Sequence, residues 1–180
     1  ARNTDQFCNM YKAKKFRIRP HEDEDEDLRM AREYYNGYLI KRIFLADGDA
    51  LICKTEDLLY VMGEANKLFP ENERITMYGA PKDILLKSHE DLVKLREAGL
   101  EMVYVGAESG DDDVLEYVKK GATHAEIAEA GKKLKEAGIK VSVTLISGLG
   151  GRKYLESHAI NSAKLISEMK PDYVGFLTLL

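Results

Sequence analysis

The chain has 180 residues, 44% hydrophobic and 32% charged, which is enough for one globular core. Fourteen glycines, four prolines and no tryptophan exclude a collagen-like or disordered chain, and no apolar run approaches the roughly 20 residues a bilayer-crossing helix needs. With 27 Lys and Arg against 31 Asp and Glu the net charge is −4, so the charge balance does not favour nucleic-acid phosphates. Two cysteines, Cys8 and Cys53, and a start unlike a signal peptide argue against a disulfide framework and for a reducing, cytoplasmic setting.

In chain order, the acidic run 22–27 opens a helix that continues through Leu28, Met30, Ala31 and Tyr34. Acidic side chains suit the positive end of the helix dipole, and a solvated first turn is the ordinary reading. Runs of β-branched and aromatic residues then recur at Ile43, Ile75, Val103, Val141 and Val174, about 30 residues apart, the length of one strand-helix-strand unit. Between them Thr55 opens a helix stopped by Pro70, and Ser88 opens one ended by Gly99. Thr123 with Glu126 forms a capping box whose helix ends at Gly138. Leu92 with Leu95, and Ile127 with Ala130 and Leu134, fall on faces expected to cover a sheet. Five parallel strands follow. Periodicity leaves an open doubly wound sheet and a barrel as alternatives.

Parallel α/β architectures gather ligands at the carboxyl ends of their strands. Here Asp47-Gly48-Asp49, Tyr78-Gly79, Gly106-Ala107-Glu108-Ser109-Gly110 and Ser147-Gly148-Leu149-Gly150 each set glycine beside a polar group, which points to a ligand site on one rim. Gly148 and Gly150 match the first two positions of a dinucleotide fingerprint, but the third falls on Lys153. His21, His89, His124 and His158 read as surface histidines, and Cys53 as a lone, partly buried thiol. Thr76, Tyr78, Ser142 and Thr144 are candidate polar groups for the inner face.

The amino-terminal stretch 3–12, with Phe7-Cys8-Asn9-Met10-Tyr11-Lys12, resembles the cluster loop of the radical S-adenosylmethionine superfamily, and more closely its Fe-S oxidoreductase members. The resemblance implies one catalytic-core domain over 1–180, with the cluster-binding loop region in 1–20 and βα repeats in 21–180. The implied fold class is α/β, a partial (β/α)6 TIM-like barrel of parallel strands with its first strand missing. It implies an enzyme in which three thiolates hold a [4Fe–4S] cluster and S-adenosylmethionine chelates the open iron. Reductive cleavage of S-adenosylmethionine then gives a 5'-deoxyadenosyl radical that abstracts hydrogen from a small-molecule or macromolecular substrate. A donor such as flavodoxin or ferredoxin supplies the electron, and no membrane partner is expected.

Carried onto this sequence, the pattern sets the Phe7 backbone near adenine and the methionine amino group at Asp47, Gly48 and Asp49. Glu108 and Ser109 match positions that meet the ribose or the methionine carboxylate. Thr144 and Gly148 belong to the stretch that packs against adenine, and Thr178 to the strand end that contacts it through backbone. Cys8 matches the third cluster ligand, whereas the second falls on Asp5 and the first at or just upstream of Ala1. An oxygen ligand such as Asp5 suits a thiolate-type cluster poorly, so the chain is expected not to assemble an intact one. One alternative is a non-catalytic nucleoside-binding barrel acting as a sensor or interaction module. Another is a phosphate-binding enzyme using residues 148–151 at a helix start.

Overall fold

The structure, a computed structural model, describes residues 17–179. Asp5, Phe7 and Cys8 lie outside the described residues.

Helix α1 (His21–Tyr34) carries Glu22, Asp23 and Glu24 in its first turn, as the acidic run predicts. None of its side chains is buried, and polar contacts hold it to the rest of the fold. Arg32 pairs with Glu71 at 2.6 Å and stacks over Phe69, while Tyr60 donates to Asp25 at 2.8 Å. Strand β1 (Arg42–Asp49) leads through a 3-10 turn to α2 (Thr55–Leu68), and β2 (Arg74–Tyr78) leads to α3 (Pro81–Leu86) and α4 (His89–Glu97). Strand β3 (Leu100–Glu108) is followed by α5 (Asp112–Tyr117) and α6 (His124–Glu136), then β4 (Lys140–Ser147), α7 (Leu155–Met169) and β5 (Tyr173–Thr178).

The strands lie in the order β1-β2-β3-β4-β5, and every neighbouring pair is parallel. Because the order never reverses, each crossover advances in the same direction and the helices collect on one face. A doubly wound sheet requires a reversal, so the order decides between the two alternatives left by periodicity.

The helix-covered face is apolar. Ile75 and Met77, Val103, Val105 and Ala107, and Val141, Val143 and Leu145 join Leu92, Leu95, Ile127, Ala130 and Leu134 in one core. The alternate residues therefore point to the other, open face. There Phe44, Tyr78 and Tyr104 meet with ring centroids 5.1 to 5.9 Å apart.

The capping box of α6 forms as expected, with Thr123 accepting from the Glu126 amide and Glu126 accepting from the Thr123 amide. Its far end is a Schellman turn: Ile139 N–H donates to the Leu134 carbonyl and Gly138 N–H to that of Lys135. Helix α7 buries a stripe of His158, Ser162, Leu165 and Met169, half of it polar.

Candidate functional site

The carboxyl ends of β1 and β3 depart from regular pairing, and each departure brings a polar group to the rim. On β1 the register with β2 jumps from Leu45 to Asp49, so Asp47-Gly48-Asp49 is a bulge within the strand rather than a loop beyond it. Gly48 takes φ +98, a conformation open to glycine. Asp49 turns toward α3, where burial and a hydrogen bond with Asp83 push its carboxyl up to about 8, against the backbone amides of Ala80 and Leu51. Asp49 therefore holds its proton at neutral pH.

On β3 the register with β4 jumps between Gly106 and Glu108, and Glu108 itself takes φ +67. A left-handed conformation at a non-glycine residue costs about 1–3 kcal/mol, so its surroundings must hold it there. Its carboxylate lies over Gly106 on the open face, where it meets Lys120 Nζ at 3.3 Å. Both side chains are nearly withdrawn from water, at 13% and 11% exposure, which strengthens the pair relative to a surface one. Lys120 is aimed by a Schellman turn at the end of α5: its N–H donates to the Leu115 carbonyl, the Lys119 N–H to that of Glu116, and Lys119 stands at φ +57. Sequence reasoning missed Lys120 because a lysine, not glycine, occupies the left-handed position that usually marks such a helix end.

Ser109 is fully buried beneath this rim, so its hydroxyl faces protein rather than a ligand. Its Oγ lies 2.7 Å from His158 Nδ1 and accepts from the Asp111 amide at 3.0 Å. His158, expected at the surface, is only 8% exposed, and its Nε2 lies 3.1 Å from the Ile146 carbonyl. Two neighbours on α7 brace the same turn: Ser162 Oγ accepts from the Gly110 amide at 2.9 Å, and Asn161 donates to Asp111 at 2.7 Å. Burial pushes the Asp111 carboxyl up, but the donors Asn161, the Val114 amide and Ser157 outweigh it and leave the group lowered. His124 is likewise partly buried. Burial opposes its protonation, while the Gly110 carbonyl and Glu168 raise its pKa overall.

Thr144 lies mid-strand, paired in register with Gly106 on one side and Gly175 on the other. This row has one short side chain between two bare backbones, a flat floor on the open face beside the Glu108–Lys120 pair. Gly148, at φ +85, and Thr178, paired with Ser147, lie at the ends of β4 and β5. Glu108, Gly148 and Thr178 thus share neighbouring strand ends with Thr144 mid-strand among them, Asp49 is two strands from Glu108, and Ser109 supports them from below.

A cavity of about 1320 Å³ opens elsewhere, between α1, α2 and the outer edge of β1. Leu28, Ala31, Ile43 and Leu58 make much of its lining, and of the rim groups above only Asp49 reaches it. Its size does not mark the site, because neither the charged pair nor the glycine row lines it.

Among the described residues the donor set does not fit an iron–sulfur cluster. Cys53 is half-buried at the end of the 3-10 turn, and burial, then the Glu24 and Asp57 carboxylates, push its thiol up. A thiol kept protonated is a poor metal ligand. Among the described residues no three His, Cys, Asp or Glu side chains converge as a metal site.

The sequence profile of the Radical SAM superfamily matches residues 6–165, and the chain belongs to that superfamily. A curated relative, the heme chaperone HemW of Bacillus subtilis (strain 168), is 28% identical over 130 residues, covering 69% of this chain and 33% of that protein. Among solved structures, coproporphyrinogen III oxidase (HemN) of Escherichia coli superposes with a TM-score of 0.73 at 15% identity, over 89% of this chain and 36% of its own. Methylornithine synthase (PylB) superposes with a TM-score of 0.70 at 18% identity, over 99% and 50% respectively. The chain spans about a third of the length of its curated relative, and these structural likenesses establish the shared fold. Among the described residues no helix is long and apolar enough to cross a membrane.

Proposed function

We propose that the chain is the S-adenosylmethionine-binding core of a radical SAM enzyme, a partial (β/α)6 barrel whose interior is the open sheet face. The buried Glu108–Lys120 pair beside the Gly106–Thr144–Gly175 row carries this reading. S-adenosylmethionine joins a planar adenine to an amino-acid end that bears an ammonium and a carboxylate. The pair supplies one acceptor for the ammonium and one cation for the carboxylate, and the row leaves room for a flat ring. Asp47, Gly48 and Asp49 extend the polar rim toward the amino group, while Gly148 and Thr178 extend it on the adenine side. Phe7 adds a backbone contact in this reading.

In the superfamily reaction a reduced [4Fe–4S] cluster supplies the electron that cleaves the sulfonium to methionine and a 5'-deoxyadenosyl radical. These 180 residues offer Cys8 and Asp5 to such a cluster, one thiolate where three are needed. This chain's own residues bind and orient the cosubstrate, and the substrate that would yield hydrogen remains outside what they select. A cytoplasmic setting and a flavodoxin or ferredoxin donor belong to the same reading.

The cluster deficit favours a second reading, a barrel that keeps the nucleoside rim and acts as a sensor or interaction module. Titration calorimetry with S-adenosylmethionine and S-adenosylhomocysteine, before and after anaerobic iron–sulfide reconstitution, tests both. Binding that needs the rim and tightens with iron supports the enzyme core, and iron-independent binding supports the module. Phosphate ligands that bind while Glu108→Ala has no effect would overturn both.

A further inference from the structure

We propose that His158 is a positioning residue for the cosubstrate site, fixing the Glu108-bearing end of β3 against the end of β4. This rests on the reading that the rim binds S-adenosylmethionine. The imidazole stands on α7 and touches both strand ends, Ser109 at 2.7 Å through Nδ1 and the Ile146 carbonyl at 3.1 Å through Nε2. A carbonyl can only accept, so Nε2 carries the ring proton and Nδ1 accepts from the Ser109 hydroxyl. Ser109 Oγ in turn accepts from the Asp111 amide. Every bond in the chain then has one direction.

The two strand ends so joined are the ones that matter for the ligand. Ser109 follows Glu108, whose φ of +67 turns its carboxylate over Gly106, and Ile146 stands two residues before Gly148. Ser109 is fully buried and His158 is 8% exposed, so neither reaches the ligand. An apolar side chain would fill the same space without needing two partners. The polar choice fixes direction as well as volume, which is what a left-handed glutamate at a binding rim requires.

Titration calorimetry with S-adenosylhomocysteine on the 180-residue chain tests the proposal, with thermal denaturation of each variant alongside. His158→Leu and Ser109→Ala are each expected to weaken binding about tenfold, with the double variant no weaker than either alone, because both remove the same link. In His158→Asn the amide oxygen stands as many bonds from Cβ as Nδ1 does and can accept from Ser109. That variant loses the bond to the Ile146 carbonyl, so it is expected to weaken binding about threefold, between the natural chain and His158→Leu. Equal binding by the natural chain and His158→Leu overturns the proposal, as does an equal loss in the Leu and Asn variants. A natural chain that binds no S-adenosylhomocysteine overturns the cosubstrate reading itself and this role with it.

Discussion

Gly110 approaches α7 so closely that a Cβ on it would lie 2.6 Å from the carbonyl carbon of Asn161 and 2.7 Å from Cα of Ser162. The turn after β3 and the helix after β4 therefore meet backbone to backbone. Backbone cannot rotate away as a side-chain end can, so Gly110→Ala must push α7 off the sheet. The expected loss of stability is about 2 kcal/mol, read from the midpoint of urea denaturation. An unchanged midpoint would show that α7 is not seated as described.

Gly106→Ala tests the opposite case. A methyl there would overlap the carboxylate end of Glu108 and come within 3.4 Å of Lys120 Nζ, both ends of flexible side chains. The helix-covered core is untouched, so the melting temperature should change little. Affinity for S-adenosylhomocysteine should fall about tenfold, since the displaced carboxylate no longer sits over the row. Calorimetry that finds full affinity would remove Glu108 from the site.

The Asp49–Asp83 pair gives stability a direction with pH. Burial and the neighbouring carboxyl hold Asp49 protonated in the folded chain up to about pH 8, whereas the unfolded group ionises near its ordinary 3.8. Between those values the folded state binds the extra proton, so this group makes stability fall as pH rises from about 4 to 8. Asp49→Asn should flatten that part of the melting-temperature profile and raise stability at pH 8. If natural and variant profiles run parallel, Asp49 is not held protonated in the folded chain.

Anaerobic reconstitution of the natural chain should yield well under the roughly four irons of a complete cluster, because Cys8 is its one cysteine in the expected loop. Ala1→Cys combined with Asp5→Cys supplies thiols at the two other expected positions and should bring the count toward four per chain. About four irons in the natural chain, with matching visible absorption, would overturn the deficit.

Local signals in the sequence determined the repeating units. Thr123 with Glu126, Pro70 after α2 and the β-branched runs at Ile75, Val103 and Val141 each act over a few residues, and all stand in the structure as expected. That Asp49, Glu108 and Gly148 fall at strand ends was legible too, because a glycine beside a polar group is a local pattern. Strand order was not, because periodicity is the same for an open doubly wound sheet and for sequential strands. His158 read as a surface residue because its partners, Ser109 and Ile146, come from other elements. Lys120 carried no signal for the same reason, since it gains meaning only when its helix end folds back over Gly106. Tertiary structure decided which polar groups face the open side of the sheet and which face each other, because a buried hydrogen bond depends on direction across chain segments that the sequence does not bring together.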